Sequence, residues 1–241
     1  MNAAADHCRD LVRTLDKDRY LASLFAPDGK RPLLLALYAY EVEIARIRDL
    51  VSEPAIGLIR QQWWLDTLDG IFAGTTPAHP VAEELARAVQ AAGLPKHALE
   101  GLVTAREFDL HGEPMANLEA MEIHLGETSS AVIQMASLIL AGDAARHSAE
   151  AAGFAGVALG LARLVHETPP RHLPRGMDKA AAIAHARRRL GQARALRGTI
   201  APDARPAFLP VSLTGLYLAN PAPSQFRRQL TMWWSARRNR F

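Results

Sequence analysis

The sequence has one cysteine, few aromatic residues, no long apolar run and no convincing alternation of apolar and polar residues. Each shortage excludes something. A lone Cys8 cannot close an internal disulfide or build a cysteine-based zinc site. It suits a reducing compartment, and with no catalytic signature around it, it is not read as a thiol nucleophile. No run reaches the roughly 18 to 20 apolar residues that span a bilayer; the longest candidates, 131–140 and 154–165, fall short. The opening MNAAADHCRD has an early acidic residue and no apolar segment, so no signal peptide is expected. A P-loop, a dinucleotide fingerprint and a nucleophile elbow are all missing. His111, His166 and His172 lack the tight spacing of metal ligands and read as structural.

What the sequence has is alanine, leucine and enough apolar residues for a core, 49% of 241. Alanine and leucine are good helix formers, and β-branched residues are few. The expectation is an all-α chain with 1–241 as a single domain, its helices joined by short loops. A break near Asp16-Lys17-Asp18 divides the first helical stretch. Pro32 and Pro54 sit where a helix tolerates proline, in the first turn. Between them one helix is expected to run to about Val51. The next carries Ile56, Ile59, Trp63, Trp64, Leu68, Ile71 and Phe72 over more than half its circumference, so burial on most sides is expected. Asn117–Leu125 reads as one short helix, with Thr128 or Ser129 capping the next. Gly153, Gly156 and Gly160 form a stripe whose cost to helix stability implies close approach of a neighbouring backbone or a ligand.

The stretch Arg31 to Trp64 is the most informative. Its first helix places Glu43, Arg46 and Asp49 at i, i+3, i+6 on an otherwise apolar body. Such charges either face solvent or line a polar cavity. At the other end of the chain, Arg187-Arg188-Arg189, Arg194, Arg197, Arg227-Arg228, Arg237-Arg238 and Arg240 concentrate the positive charge. They can serve an anionic partner or simply be solvated helix faces. The segment 225–234 has apolar residues at helical spacing with arginines between them. It can lie on an anionic membrane surface or dock on the core with its arginines in water.

Several motifs, in order, resemble the squalene/phytoene synthase family. They are Tyr20-Leu21-Ala22-Ser23; Arg31 followed by Ala36-Leu37-Tyr38-Ala39-Tyr40; Arg60-Gln61-Gln62-Trp63-Trp64 and then His79-Pro80-Val81; Glu107-Phe108-Asp109-Leu110; and Gly156-Val157-Ala158-Leu159-Gly160-Leu161 with Leu173-Pro174. The resemblance covers about residues 18 to 240. It implies an isoprenoid synthase-type helical bundle around a central cavity. It also implies chemistry in which two aspartate-rich motifs hold Mg²⁺ against a substrate diphosphate.

The sequence departs from that pattern where the metal would bind. The first motif, D-D-x-x-D, falls on Ala45, Arg46 and Asp49. The second falls on Arg163 and Glu167, then stops at Thr168-Pro169-Pro170. Arginine repels Mg²⁺ but binds phosphate bidentately. The resemblance therefore implies a non-catalytic member with no metal or other cofactor. Arg46, Arg163, Arg60 and Tyr40 would bind an isoprenoid diphosphate or anionic lipid, and Glu43, Gly156, Gly160 and His166 would line the cavity. Alternatively Arg46 and Arg163 pair with Asp49 and Glu167 and close the old site. Were the chain an active prenyltransferase, Asp49 and Glu167 would hold Mg²⁺ and Asp109 would assist. Glu43, Arg46, Asp49, Ser52-Glu53, Ile56-Gly57-Leu58 and the run 128–130 further resemble a non-canonical branch, the mitochondrial complex I assembly factor 6 type. That branch implies complex I subunits as partners, no nucleic acid, and a cytoplasmic protein peripheral to the inner face of the cytoplasmic membrane.

Overall fold

The computed structural model describes residues 2–112, 114–166, 173–238 and 241. Among these the secondary structure is entirely helical, as the composition demands. The chain divides into two compact units, Met1–Gly112 and Glu113–Phe241.

The first unit contains α1 (Ala3–Leu15), α2 (Lys17–Ser23), α3 (Arg31–Ala45), α4 (Pro54–Ala73), α5 (Pro80–Ala92), α6 (Lys96–Ala105) and α7 (Glu107–His111). The break between α1 and α2 falls at Asp16, whose side chain caps α2 by accepting from the Arg19 N–H at 3.0 Å. Helix α3 is the centre of this unit. Its residues Leu34 to Val42 are all buried, and the Tyr40 hydroxyl donates to the Leu99 carbonyl at 2.9 Å. Helix α3 stops at Ala45, and Ile47–Leu50 tightens into a 3₁₀ turn instead of continuing the α-helix to Val51.

Charges buried beside α3 hold the unit together. Glu41 accepts from Arg19 Nη1 at 2.6 Å and from Arg106 Nη2 at 2.8 Å. Arg19 also reaches Asp16, and Arg106 reaches Asp109, each at 3.1 Å. The Arg19 guanidinium lies 5.6 Å from the Tyr38 ring centroid. Burial alone would favour a neutral Arg19, but Glu41 and Asp16 raise its pKa further above its already high value. Each buried ion thus has a partner of opposite sign, which is the condition for burying it at all.

Helix α4 buries one stripe, Gly57, Gln61, Trp64, Leu68 and Ile71, at alternating steps of four and three. The expected burial on most sides is not found. Ile56, Trp63 and Phe72 are more than 40% exposed and Ile59 is 70% exposed. Apolar residues around a whole helix therefore do not require neighbours around a whole helix.

The second unit contains α8 (Leu118–Leu125), α9 (Ala131–Ala141), α10 (Ala149–Leu164), α11 (Lys179–Ala195), α12 (Arg205–Phe208), α13 (Thr214–Ala219) and α14 (Gln225–Arg238). Asn117 caps α8, accepting from the Ala120 N–H at 2.8 Å. Between α8 and α9 the backbone does not break for a cap. It widens into a π-turn, Gly126–Ser130, and Thr128 donates back to the His124 carbonyl at 2.7 Å. Helix α10 packs on this turn through its glycines. A Cβ on Gly156 would stand 2.3 Å from Ser130 Cα, and one on Gly160 would stand 2.7 Å from Leu125 and Ser129 side-chain atoms. Ser130 Oγ donates to the Gly153 carbonyl at 2.8 Å.

The glycine stripe predicts opposite outcomes for neighbouring substitutions. Gly156→Ala must displace backbone and should cost about 1–3 kcal/mol. Gly153→Ala meets nothing within 4 Å and should gain about 0.5–1 kcal/mol from helix propensity. Denaturant titration of the two variants against the parent checks both signs.

Candidate functional site

The end of α3 collects the polar groups that the sequence singles out. Glu43 and Arg46 lie one turn apart on the last turn and cap of the helix and pair at 3.4 Å between Oε1 and Nη1. Both side chains are partly buried. The next residue of the expected face, Asp49, lies on the 3₁₀ turn and is exposed. The α-helix gives way to that turn after Ala45. Arg46 pairs with Glu43, and closure of the site by an Arg46–Asp49 pair is not what the structure has. Arg46 Nε is buried and has no hydrogen-bond partner.

Around this end lie aromatic and buried polar groups. Trp63, Trp64 and His79 form a mutual edge-to-face cluster with ring centroids 4.9–5.4 Å apart. Trp64 also meets Tyr40 edge-on at 5.2 Å. Burial lowers the His79 pKa against the opposing pull of Glu43, so its imidazole is neutral at pH 7. His79 Nδ1 and Gln61 Nε2, like Arg46 Nε, are buried without a partner. Three such atoms in one unit form a set of unused polar capacity, since buried donors and acceptors are otherwise almost always paired. His79 and Gln61 carry this role unforeseen. Both lie in the motifs that carry the family resemblance, which is the only sequence signal that could have pointed to them.

The other expected site residues are placed as follows. Arg60 is on α4 and exposed. Tyr40 is fully buried with its hydroxyl committed to Leu99, so it is a core residue and not a ligand contact. Asp109 is buried and ion-paired with Arg106 in the Glu41 network, which gives it a structural task. Arg163 lies in the last turn of α10, half-buried. Gly156 and Gly160 face the π-turn, which decides for a neighbouring backbone and against a cavity wall. His166 bonds through Nε2 to the Tyr217 carbonyl at 2.7 Å, and Lys179 Nζ approaches its Nδ1 at 3.0 Å. Those contacts fit a neutral ring protonated on Nε2. Glu167 and His172 lie outside the described residues.

Mg²⁺ needs several oxygen ligands at near-octahedral geometry. Among the described residues no three of His, Cys, Asp and Glu converge to hold a metal ion. The exposed Asp49 stands with Arg46 and Arg48 as neighbours in the chain. The described residues do not fit the metal that the aspartate-rich motifs would hold. What Arg46 can do is bind an anion, with Glu43 fixing one edge of its guanidinium and Nε left free to donate.

A second polar cluster belongs to the other unit. Glu122 on α8 receives both Nε and Nη2 of Arg189 at 2.6 Å, and His185 Nε2 at 2.5 Å. Partial burial works against its ionisation, but those hydrogen bonds prevail and lower its pKa. The cluster ties α8 to α11 and leaves no group free for chemistry.

Comparison with known proteins gives a consistent picture. The model of the squalene/phytoene synthase family matches residues 12–177. The complex I assembly factor 6 of Bos taurus is 36% identical over 163 residues, 68% of this chain and 49% of that protein. The Homo sapiens protein is 36% identical over 165 residues, again 68% and 49%. The chain thus spans about half the length of the curated relatives it matches. Among solved structures, a squalene synthase from Alicyclobacillus acidocaldarius superposes with a TM-score of 0.71 at 17% identity, covering 99% of this chain and 95% of that one. A dehydrosqualene synthase in complex with ligand gives 0.77 at 16% identity, covering 98% and 96%. Those likenesses bear on the fold.

Cys8 lies on the buried stripe of α1, 1% exposed, its thiol against the Pro80 carbonyl at 3.9 Å. Burial, aided by Glu84 and Glu43, raises its pKa to about 12. The thiolate is the reactive form. A disulfide reagent at mildly alkaline pH should therefore leave the native protein unlabelled and react fully after unfolding in guanidinium. Rapid labelling of native protein would contradict this placement.

Proposed function

Because the chain belongs to the squalene/phytoene synthase family, we propose that it is a non-catalytic member that works in assembly of the respiratory NADH dehydrogenase at the inner face of the cytoplasmic membrane. In this reading it holds an isoprenoid diphosphate or a lipid phosphate by arginine and not by metal. The observation that carries the reading is Arg46. It stands at a position where the family's first motif has an aspartate, half-buried, with Nε unpartnered. A cation there repels Mg²⁺ and attracts the group that Mg²⁺ would have held. Arg163 at the second motif supports the same reading by its position. The likeness to complex I assembly factors supports the assembly role. Among the described residues no helix is long and apolar enough to cross a membrane, which is compatible with peripheral attachment.

The test has two arms. Purified protein with Mg²⁺ and farnesyl or geranylgeranyl diphosphate should release no diphosphate above background. Deletion of the gene should lower the amount of assembled NADH dehydrogenase in membranes, restored by the parent and by Asp49→Ala but not by Arg46→Ala. Diphosphate release that disappears in Asp49→Ala would instead establish a working prenyltransferase that uses Asp49.

A further inference from the structure

Helix α14 reads QFRRQLTMWWSARR and contains no acidic residue. One side chain, Met232, is buried. Phe226 is 72% exposed, and Leu230, Trp233 and Trp234 are each exposed by more than two fifths. These four fall at i, i+4, i+7 and i+8 and so share one face. Docking of the whole apolar face on the core, one of the two possibilities open from the sequence, is thus not what the structure has. Scattered surface apolar residues need no explanation, but a contiguous stripe of large ones does.

The stripe is flanked by cations. Arg237 lies over the Trp233 ring at 5.0 Å and Arg238 over Trp234 at 4.7 Å. Arg227 and Arg228 occupy the first turn. Beside the stripe runs a groove of about 600 Å³, lined by Arg194, Arg197, Ser212, Thr231, Trp234 and Arg238 among others. Arg194 donates from Nε to a main-chain oxygen of Phe241 at 2.7 Å, which fixes its guanidinium at the groove. Three guanidinium groups and three hydroxyls, those of Ser212, Thr231 and Ser235, beside exposed tryptophans suit a phosphate whose attached chains are apolar.

We propose that α14 and this groove form a docking surface for an anionic phospholipid bilayer. The stripe enters the headgroup boundary, the tryptophans sit at interface depth, and Arg194, Arg197 and Arg238 take lipid phosphates. Charge complementarity selects this occupant: an acid-free helix with aromatic residues and arginines matches an anionic leaflet. This deepens the membrane placement proposed above by naming the surface, and it is tested on purified protein, so its failure is separable from failure of the assembly role.

The experiment is co-sedimentation with vesicles of phosphatidylcholine, with and without about a third phosphatidylglycerol. The intact protein should bind the anionic vesicles, bind pure phosphatidylcholine at least ~10-fold more weakly, and lose binding as salt rises. Arg237→Glu/Arg238→Glu should lose about tenfold or more, and Phe226→Asp should also weaken binding, since that residue is exposed and its replacement leaves the core untouched. Brominated lipid should quench the parent more than Trp233→Phe/Trp234→Phe. Ile56→Ala/Ile59→Ala, on the exposed face of α4, should bind as the parent does. Equal binding to neutral vesicles, parent-like binding by the α14 variants, or loss of binding in the α4 variant would each overturn the proposal.

Discussion

The Glu41 carboxylate, buried between the guanidinium groups of Arg19 and Arg106, fixes the first unit. It joins α3 to α2 on one side and to the start of α7 on the other. Through Asp16 and Asp109 it closes a network in which each cation has two acidic partners. Breaking such a set by deleting one partner costs on the order of 3–5 kcal/mol, a large part of a typical total stability of about 5–15. The pairing also fixes the rotation of α3 about its axis. At 100° per residue, Glu43 lies roughly 200° from Glu41. Pinning Glu41 into the network therefore turns Glu43 and Arg46 away from it, to the face that the tryptophan and histidine cluster borders.

From that orientation the functional reading follows. A helical scaffold that presents carboxylates at this point can hold hard divalent cations and draw a diphosphate away as a leaving group. In the proposed reading, with Arg46 in one carboxylate's place, the scaffold would keep its attraction for phosphate and lose the means to polarise it. Glu43 reduces the local positive charge without consuming it, since it takes one Nη and leaves Nε available. The neutral His79 and the Gln61 amide add polar capacity without charge. This suits holding an anion more than ionising it.

Local chemistry was legible in the sequence. The break at Asp16, the short helix after Asn117 and the first-turn proline of α4 depend on residues close in the chain, so their positions follow from residue type alone, whereas the cap expected at Thr128 or Ser129 did not form. The glycine stripe of α10 announced a close approach, but the backbone it meets comes from a π-turn for which no residue pattern is diagnostic. The Arg19–Glu41–Arg106 network joins residues up to 87 positions apart, 19 and 106, and nothing in their immediate surroundings marks them. The tightening of α3 into a 3₁₀ turn before Asp49 was equally hidden. The exposed faces of α4 and α14 show a further limit, because hydrophobicity states what a surface prefers and not what covers it.

The central claim is that arginine has replaced metal as the phosphate-binding element. Calorimetric titration with farnesyl diphosphate, once in chelator and once in Mg²⁺, tests it directly. The account predicts equal affinity in both within about threefold, a difference of ~0.6 kcal/mol, and a loss of about tenfold or more in Arg46→Ala. Binding that appears only with Mg²⁺, or that Arg46→Ala leaves unchanged, would contradict it.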